Sequence, residues 1–413
     1  MFFFYQILII LLIILSPFII LFRLFKKKED KYRFIEKFGL FTKKKRSGKL
    51  IWFHASSVGE LMSIIPLLNY YENKKTINQI LVTTNTLSSA NILKKYKFKK
   101  IIHQFFPIDF IFISKKFLNY WKPKIAIFVE SEIWPSMFNS LSKKKIPIVL
   151  LNARITQKTY KRWFSLKNLS FSIFKNIFIS YPQNFESIKY LKKLKAKKIR
   201  FIGNLKFLEN PYDKKDILNK NLFTQFKKHK NWVAASTHNG EEIICAKAHI
   251  ILKKKIKNLI TVLIPRHINR TNDIISKINN LNLKVVRHSD KVKSLENIDI
   301  YLVDTYGESK KFYKIAKTVF LGGSLIKHGG QNPLEPARYG TKILHGNNVQ
   351  NFKDIYKYLY SLNISKIVIN SKQLASSISF KPTKNKKNII KKLGTKIFIK
   401  ISRELDTLIE HAI

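Results

Sequence analysis

The sequence predicts an α/β protein of two doubly wound domains behind a single N-terminal membrane helix. Three observations predict it: an uncharged apolar run at 2–22, short apolar or β-branched runs alternating with helix-length segments thereafter, and a turn-rich break midway through that alternation. A chain of 413 residues exceeds one ordinary core, and each of two domains has enough chain to bury its own.

The 21 residues of the apolar run, at about 1.5 Å rise each, cross a ~30 Å hydrocarbon core. A cleaved signal peptide carries positive charge before its apolar run and small residues after it. Here Arg23, Lys26, Lys27 and Lys28 follow directly, so 1–22 reads as a retained transmembrane anchor. The positive-inside bias then keeps the rest of the chain in the cytoplasm. Pro17 interrupts the helical ladder and leaves a monotopic insertion into one leaflet open. Residues 23–48 form a basic linker.

Expected strands in the first domain, 49–208, are 50–55, 79–84, 100–106, 124–129, 147–152 and 200–203. The stretch 208–213, with Pro211, interrupts the pattern. A second domain, 209–413, then carries expected strands at 232–236, 261–265, 284–287, 300–304, 319–322 and 341–344. Two such domains face a cleft with the carboxyl ends of their sheets, where ligands of these folds bind.

The net charge of +53 raises nucleic acid as a partner, but 67 of the 78 basic residues are lysines spread through nearly every segment. They read as solvated faces or as attraction to an anionic membrane surface, and no nucleic-acid-binding motif accompanies them. One cysteine, Cys245, excludes an intramolecular disulfide and a cysteine-based metal cluster.

Four sets of residues can carry chemistry. His54-Ala55-Ser56-Ser57-Val58-Gly59-Glu60 follows a strand and opens a helix, so Glu60 is either a cleft-facing acid or an ordinary helix N-terminal carboxylate favoured by the macrodipole. Glu130 and Glu132 follow another strand, as cleft acids or as caps of the next helix. Gly322-Gly323-Ser324 and Gly329-Gly330-Gln331-Asn332-Pro333-Leu334-Glu335 combine paired glycines with a proline-started helix and an early acid. That pattern suits a nucleotide phosphate, with Glu335 accepting from ribose hydroxyls. Pro265-Arg266-His267 and Asp304-Thr305-Tyr306-Gly307-Glu308 end two more strands, and Arg266 offers a planar fork to a phosphate. His267 and His328 read as orienting or packing residues, because no His, Asp or Glu set has metal-ligand spacing. A P-loop lysine and the G-x-G-x-x-G spacing are both missing.

These strings, with Asn152-Ala153-Arg154, Gly203-Asn204-Leu205-Lys206-Phe207 and Ser236-Thr237-His238 in order, resemble the 3-deoxy-D-manno-oct-2-ulosonic acid (Kdo) transferases of lipopolysaccharide synthesis. The resemblance covers about 1–360. It implies a GT-B architecture of two Rossmann-like domains, the first binding acceptor and the second nucleotide sugar. It also implies CMP-Kdo as donor, a lipid A precursor as acceptor, inversion at the anomeric carbon, and placement at the inner membrane. Carried over, Glu60 is the catalytic base, Glu130 and Lys206 support the transition state, and Pro265, Arg266, Tyr306, Gly307, Glu308, Asn332, Pro333, Leu334 and Glu335 bind the nucleotide. Where the family often has Gly-Pro-His and a Thr-Gly turn, this chain reads Gly346-Asn347-Asn348 and Thr86-Leu87. No cofactor or metal is expected, since only one phosphate leaves with CMP and no Asp-x-Asp motif is present. Two other readings fit the residues alone: a membrane-lipid GT-B transferase using a UDP-sugar, and a membrane-tethered basic protein that binds nucleotide or RNA.

Overall fold

A computed structural model of the protein describes residues 2–208, 217–381 and 386–412. Of the expected break at 208–213, all but Leu208 lies outside the described residues. Backbone contacts divide the chain into two units, Met1–Pro211 together with Gly394–Ile413, and Tyr212–Leu393.

The first unit holds β1 (Leu50–His54), β2 (Gln79–Thr84), β3 (Ile101–Phe105), β4 (Ile125–Val129), β5 (Ile148–Ala153) and β6 (Ile179–Pro182). They form one sheet in the order β3-β2-β1-β4-β5-β6, parallel throughout. Every residue of β1, β2, β4 and β5 is buried, as a parallel sheet covered by helices on both faces requires. Trp52 centres the core on one face, its ring 4.9 Å from Phe117 and 5.1 Å from Phe128. Strand order reverses between β1 and β4, so the segments leaving these strands, 55–60 and 130–134, share the crevice at the switch point.

The sixth strand differs from the expected one. Residues 200–203 lie outside the sheet, which ends in Ile179–Pro182, and Ile199 makes only an isolated bridge to Ser180. A strand of four residues containing Ser and Pro has neither alternation nor an apolar run to mark it.

The second unit holds β7 (Lys230–Thr237), β8 (Leu259–Pro265), β9 (Val285–Arg287), β10 (Ile300–Leu302), β11 (Thr318–Leu321), β12 (Lys342–His345) and β13 (Ser365–Ile367). Their order is β13-β12-β11-β7-β8-β10-β9, again all parallel, with the switch point between β7 and β11. The three-residue β13 has no counterpart among the expected strands, being too short to show a period.

The sequence pattern runs the second domain to 413, whereas 394–413 group with the first unit. The helix Lys386–Ala412 turns a stripe of Ile397, Ile401, Leu405 and Ile409 inward, and all four are buried. Polar contacts hold the same segment, from Tyr70 Oη to Asp406 (2.6 Å) and from Tyr181 Oη to Glu404 (3.0 Å). Gly203, at φ 126°, lets this helix approach, because a Cβ there would sit 2.8 Å from Ile397 Cδ1.

Candidate functional site

In the first unit, β1 delivers Glu60 to the switch point through a helix cap. Ser57 caps the helix Val58–Glu72, accepting from Glu60 N (3.3 Å) and donating its hydroxyl to Glu60 Oε1 (3.0 Å). Glu60 Oε2 in turn accepts from Ser56 N (2.7 Å), a variation on the reciprocal capping box. The capping role open to a helix N-terminal carboxylate is therefore the one these hydrogen bonds make. Burial, then the charges of Glu132 and Glu130, push its carboxyl from 4.5 up to about 7 against the pull of those two hydrogen bonds. An acid poised near neutrality can accept a proton at working pH.

Glu132 is held by a hydrogen-bond chain. Trp52 Nε1–H donates to Thr83 Oγ1 (2.9 Å), which lies 2.9 Å from His54 Nδ1, while His54 Nε2 lies 3.1 Å from Glu132 Oε2. Trp134 Nε1–H donates to the same oxygen (3.0 Å). His54 Nδ1 also lies 3.2 Å from the Thr83 carbonyl oxygen, so the ring bridges β2 and Glu132.

Glu130 leaves β4 at φ 58°, a left-handed conformation that a non-glycine residue adopts at a cost. Its Oε1 pairs with Lys206 Nζ at 2.7 Å. Asn152, at φ 53° in the bulge of β5, explains the pairing, since its Oδ1 accepts from Leu205 N (2.9 Å) while Asn204 Oδ1 accepts from Lys206 N (2.9 Å). Those two asparagines fold the turn Leu205–Phe207 onto the sheet edge and aim Lys206 at Glu130. The predicted trio Glu60, Glu130 and Lys206 is thus assembled on one switch point. Glu132, read with Glu130 as a cleft acid or cap, joins them, and His54 and the two asparagines are members that motif reading alone had not given roles.

In the second unit the predicted residues lie along the carboxyl edge of the sheet. Pro265 ends β8 and the exposed Arg266 follows it, making no ion pair among the described residues. Tyr306 is exposed, Gly307 stands at φ 87° over open space, and Glu308 pairs with Lys311 (2.7 Å). Asn332 Oδ1 accepts from Leu334 N (3.1 Å), and Pro333, Leu334 and Glu335 enter a helix of a single turn, Leu334–Ala337. Three imidazoles gather at the same edge. His238 lies 4.2 Å from His328 and 5.7 Å from His267, ring to ring. Burial, then His328, His267, Arg266 and Arg270, push the His238 pKa down to about 4.

The Gly322-Gly323-Ser324 loop departs from expectation. Its amides are taken by the chain itself: Glu241, fully buried, accepts from Gly323 N (2.7 Å), Ser324 N (3.1 Å) and Leu325 N (3.0 Å), and also from His238 N (2.9 Å). Gly322 is needed for backbone approach, because a Cβ there would lie 2.5 Å from Ser236 O and 2.6 Å from Thr237 Cα. Among the described residues no group of three or more His, Cys, Asp or Glu is placed to hold a metal ion.

A sequence-family description of 3-deoxy-D-manno-octulosonic-acid transferase (kdotransferase) matches residues 32–209. The 3-deoxy-D-manno-octulosonic acid transferase of Haemophilus influenzae is 32% identical over 83% of this chain and 81% of its own length. That of Rickettsia bellii is 34% identical over 82% and 81%. The chain belongs to the Kdo transferase family. As a member it is an enzyme, a glycosyltransferase. The Anabaena protein Alr3699/HepE, solved in complex with UDP and glucose, covers 87% of this Kdo transferase and 100% of itself with a TM-score of 0.54 at 10% identity, a likeness of fold. The residues of the Kdo transferase match that build its first-unit site, 54–60, 130–135, 152–154 and 203–207, all fall inside the matched range 32–209.

Proposed function

We propose that this Kdo transferase moves Kdo from CMP-Kdo to a lipid A precursor with inversion, with Glu60 as the catalytic base. The observation that carries the base assignment is the Glu60 carboxyl, fixed by Ser56 and Ser57 and raised to about 7. As the acceptor hydroxyl attacks the anomeric carbon of Kdo, the bond to the CMP phosphate oxygen breaks and the hydroxyl proton passes to Glu60. CMP leaves as an anion, and Arg266 supplies positive charge where the second unit would hold its phosphate, with His238, its pKa held down to about 4, beside it as a neutral hydrogen-bonding group. Lys206, steadied by Glu130, supports the transition state as a fixed cation. Tyr306, Gly307, Glu308, Asn332 and Glu335 are the remaining nucleotide contacts of this reading, on the same edge as Arg266.

Membrane attachment through the helix Phe2–Phe25 at the cytoplasmic face of the inner membrane completes the proposal, since it brings the enzyme to a lipid acceptor. This helix is the one element among the described residues long and apolar enough to cross a membrane.

The test uses the full chain in detergent or vesicles, with CMP-Kdo and a tetra-acylated lipid A precursor, read by mass spectrometry. Glu60→Gln is expected to retain CMP-dependent thermal stabilisation and lose about 10²- to 10⁴-fold in transfer, the usual contribution of a general base. Unchanged acceptor mass with the unmodified enzyme, under conditions where CMP stabilises it, would overturn the reaction. Near-normal turnover by Glu60→Gln would overturn the base alone.

A further inference from the structure

The N-terminal helix Phe2–Phe25 has four side chains capable of conventional hydrogen bonding, Tyr5, Gln6, Ser16 and Arg23. At about 100° per residue these four, with Ile9, Ile13 and Ile20, fall within an arc of roughly 100° on the helical wheel. That arc is also the one the protein covers: Gln6, Ser16 and Ile20 are buried, and Tyr5, Ile9, Ile13 and Arg23 are partly buried. The rest of the circumference is apolar and open, with Phe3 78%, Phe18 74% and Leu21 69% exposed.

Both ends of the helix are tied to the same folded unit. Near the start, Tyr5 Oη donates to Asp109 (2.8 Å), Gln6 Nε2 donates to Ser136 Oγ (2.8 Å), and Gln6 Oε1 accepts from Ile111 N (3.0 Å). At the far end, Arg23 Nε and Lys37 Nζ both reach the buried Glu29 Oε1 at 2.6 Å. The following turn, Arg33–Phe38, is pinned to β3 and its exit. Arg33 Nη2 donates to His103 O (2.8 Å), Phe105 N to Glu36 Oε2 (2.7 Å), and Ile108 N to Lys37 O (2.8 Å). Gln6 and Lys37 therefore bind amides of Ile111 and Ile108, one short stretch of chain. A spanning helix would put its two ends on opposite sides of a ~30 Å hydrocarbon core, with the folded unit reaching only one of them.

We infer that this helix is an in-plane anchor: it docks lengthwise on the first unit and sinks its open apolar arc into one leaflet without crossing the bilayer. This rests on the membrane attachment proposed above and changes its geometry. The occupant of the arc is the acyl boundary of a lipid surface, and the exposed Lys26, Lys27, Lys28 and Lys31 at the helix end meet anionic headgroups. Spanning would break the Tyr5 and Gln6 contacts and leave Asp109, buried among them, without its Tyr5 donor. It would also expose Gln6, stripped of Ser136 and Ile111, to hydrocarbon, where polar groups lacking partners are costly.

The full-length enzyme tests this in sealed membrane vesicles, with one protease-cleavable tag ahead of residue 1 and an identical tag after residue 413. An in-plane helix leaves both tags cleavable from the same side. In parallel, Gln6→Cys/Ser136→Cys in a Cys245→Ala background is treated in membranes with a short bismaleimide, and an intramolecular cross-link is expected. A sedimenting protein whose N-terminal tag is protected while the C-terminal tag is cut, with no cross-link, would overturn the in-plane geometry and leave membrane attachment standing. Recovery of the enzyme in the soluble fraction would overturn the attachment itself, and this inference with it.

Discussion

Glu241→Gln is the sharpest single perturbation of the second unit. Its carboxylate accepts four backbone N–H bonds of 2.7, 2.9, 3.0 and 3.1 Å, two on each oxygen, with no exposure to water. Glutamine preserves shape and one acceptor oxygen, but its NH2 must face two of those N–H donors. Two buried amides lose a charge-assisted partner, each at about 1–3 kcal/mol, so the loop should lose about 2–6 kcal/mol of local stability. At the lower bound this is roughly a 30-fold rise in the population of opened loop. Hydrogen exchange by mass spectrometry on peptides covering 322–330 reads that change directly, and it does not require the two units to unfold together. Affinity for CMP should fall in parallel, because the same carboxylate ties the His238 backbone to the loop. Protection of 323–325 unchanged from the parent would refute the view that Glu241 organises this edge.

The acid limb of the transfer rate should lie near pH 7, because only the ionised Glu60 accepts a proton and its carboxyl is raised to about 7; below that pH the rate should fall about tenfold per unit. Glu132→Gln removes the larger of the two charges that raise it, so a pH profile of that variant should show the limb moved to lower pH. Lys206→Met leaves Glu130 buried without its ion-pair partner, at a cost of about 3–5 kcal/mol in urea unfolding, and Glu130→Gln in the same chain should recover part of it. Gly203→Ala forces a methyl to within 2.8 Å of Ile397 Cδ1 at φ 126°. It should cost about 1–3 kcal/mol and expose the C-terminal helix to limited proteolysis.

Most of the sheet was legible from local pattern. Stretches such as 80–84 and 125–129 are continuous apolar or β-branched runs because they are buried on both faces, and a run of that kind marks itself. The runs that escaped, Ile179–Pro182 and Ser365–Ile367, are short and mixed, and only pairing with a neighbour makes them strands. The site was legible as a set of motifs but not as a mechanism of placement. Asn152 and Asn204 read as isolated polar residues until the bulge of β5 shows them shaping the turn that carries Lys206.

By itself the sequence determined the α/β class, the family and the identity of the acids, because these depend on residue type and spacing along the chain. Tertiary structure alone decided how those residues behave. Glu60 becomes a base candidate through burial and through Glu130 and Glu132, which lie some 70 residues away in sequence. The glycine loop that reads as a phosphate cradle is occupied by Glu241, more than 80 residues before it. The apolar N-terminal run has the length of a spanning helix, yet its polar side chains find their partners at Asp109, Ile111 and Ser136. Hydrophobic periodicity is a local property. The pKa of an acid and the partner of a buried amide are set by distances in space, which only the fold supplies.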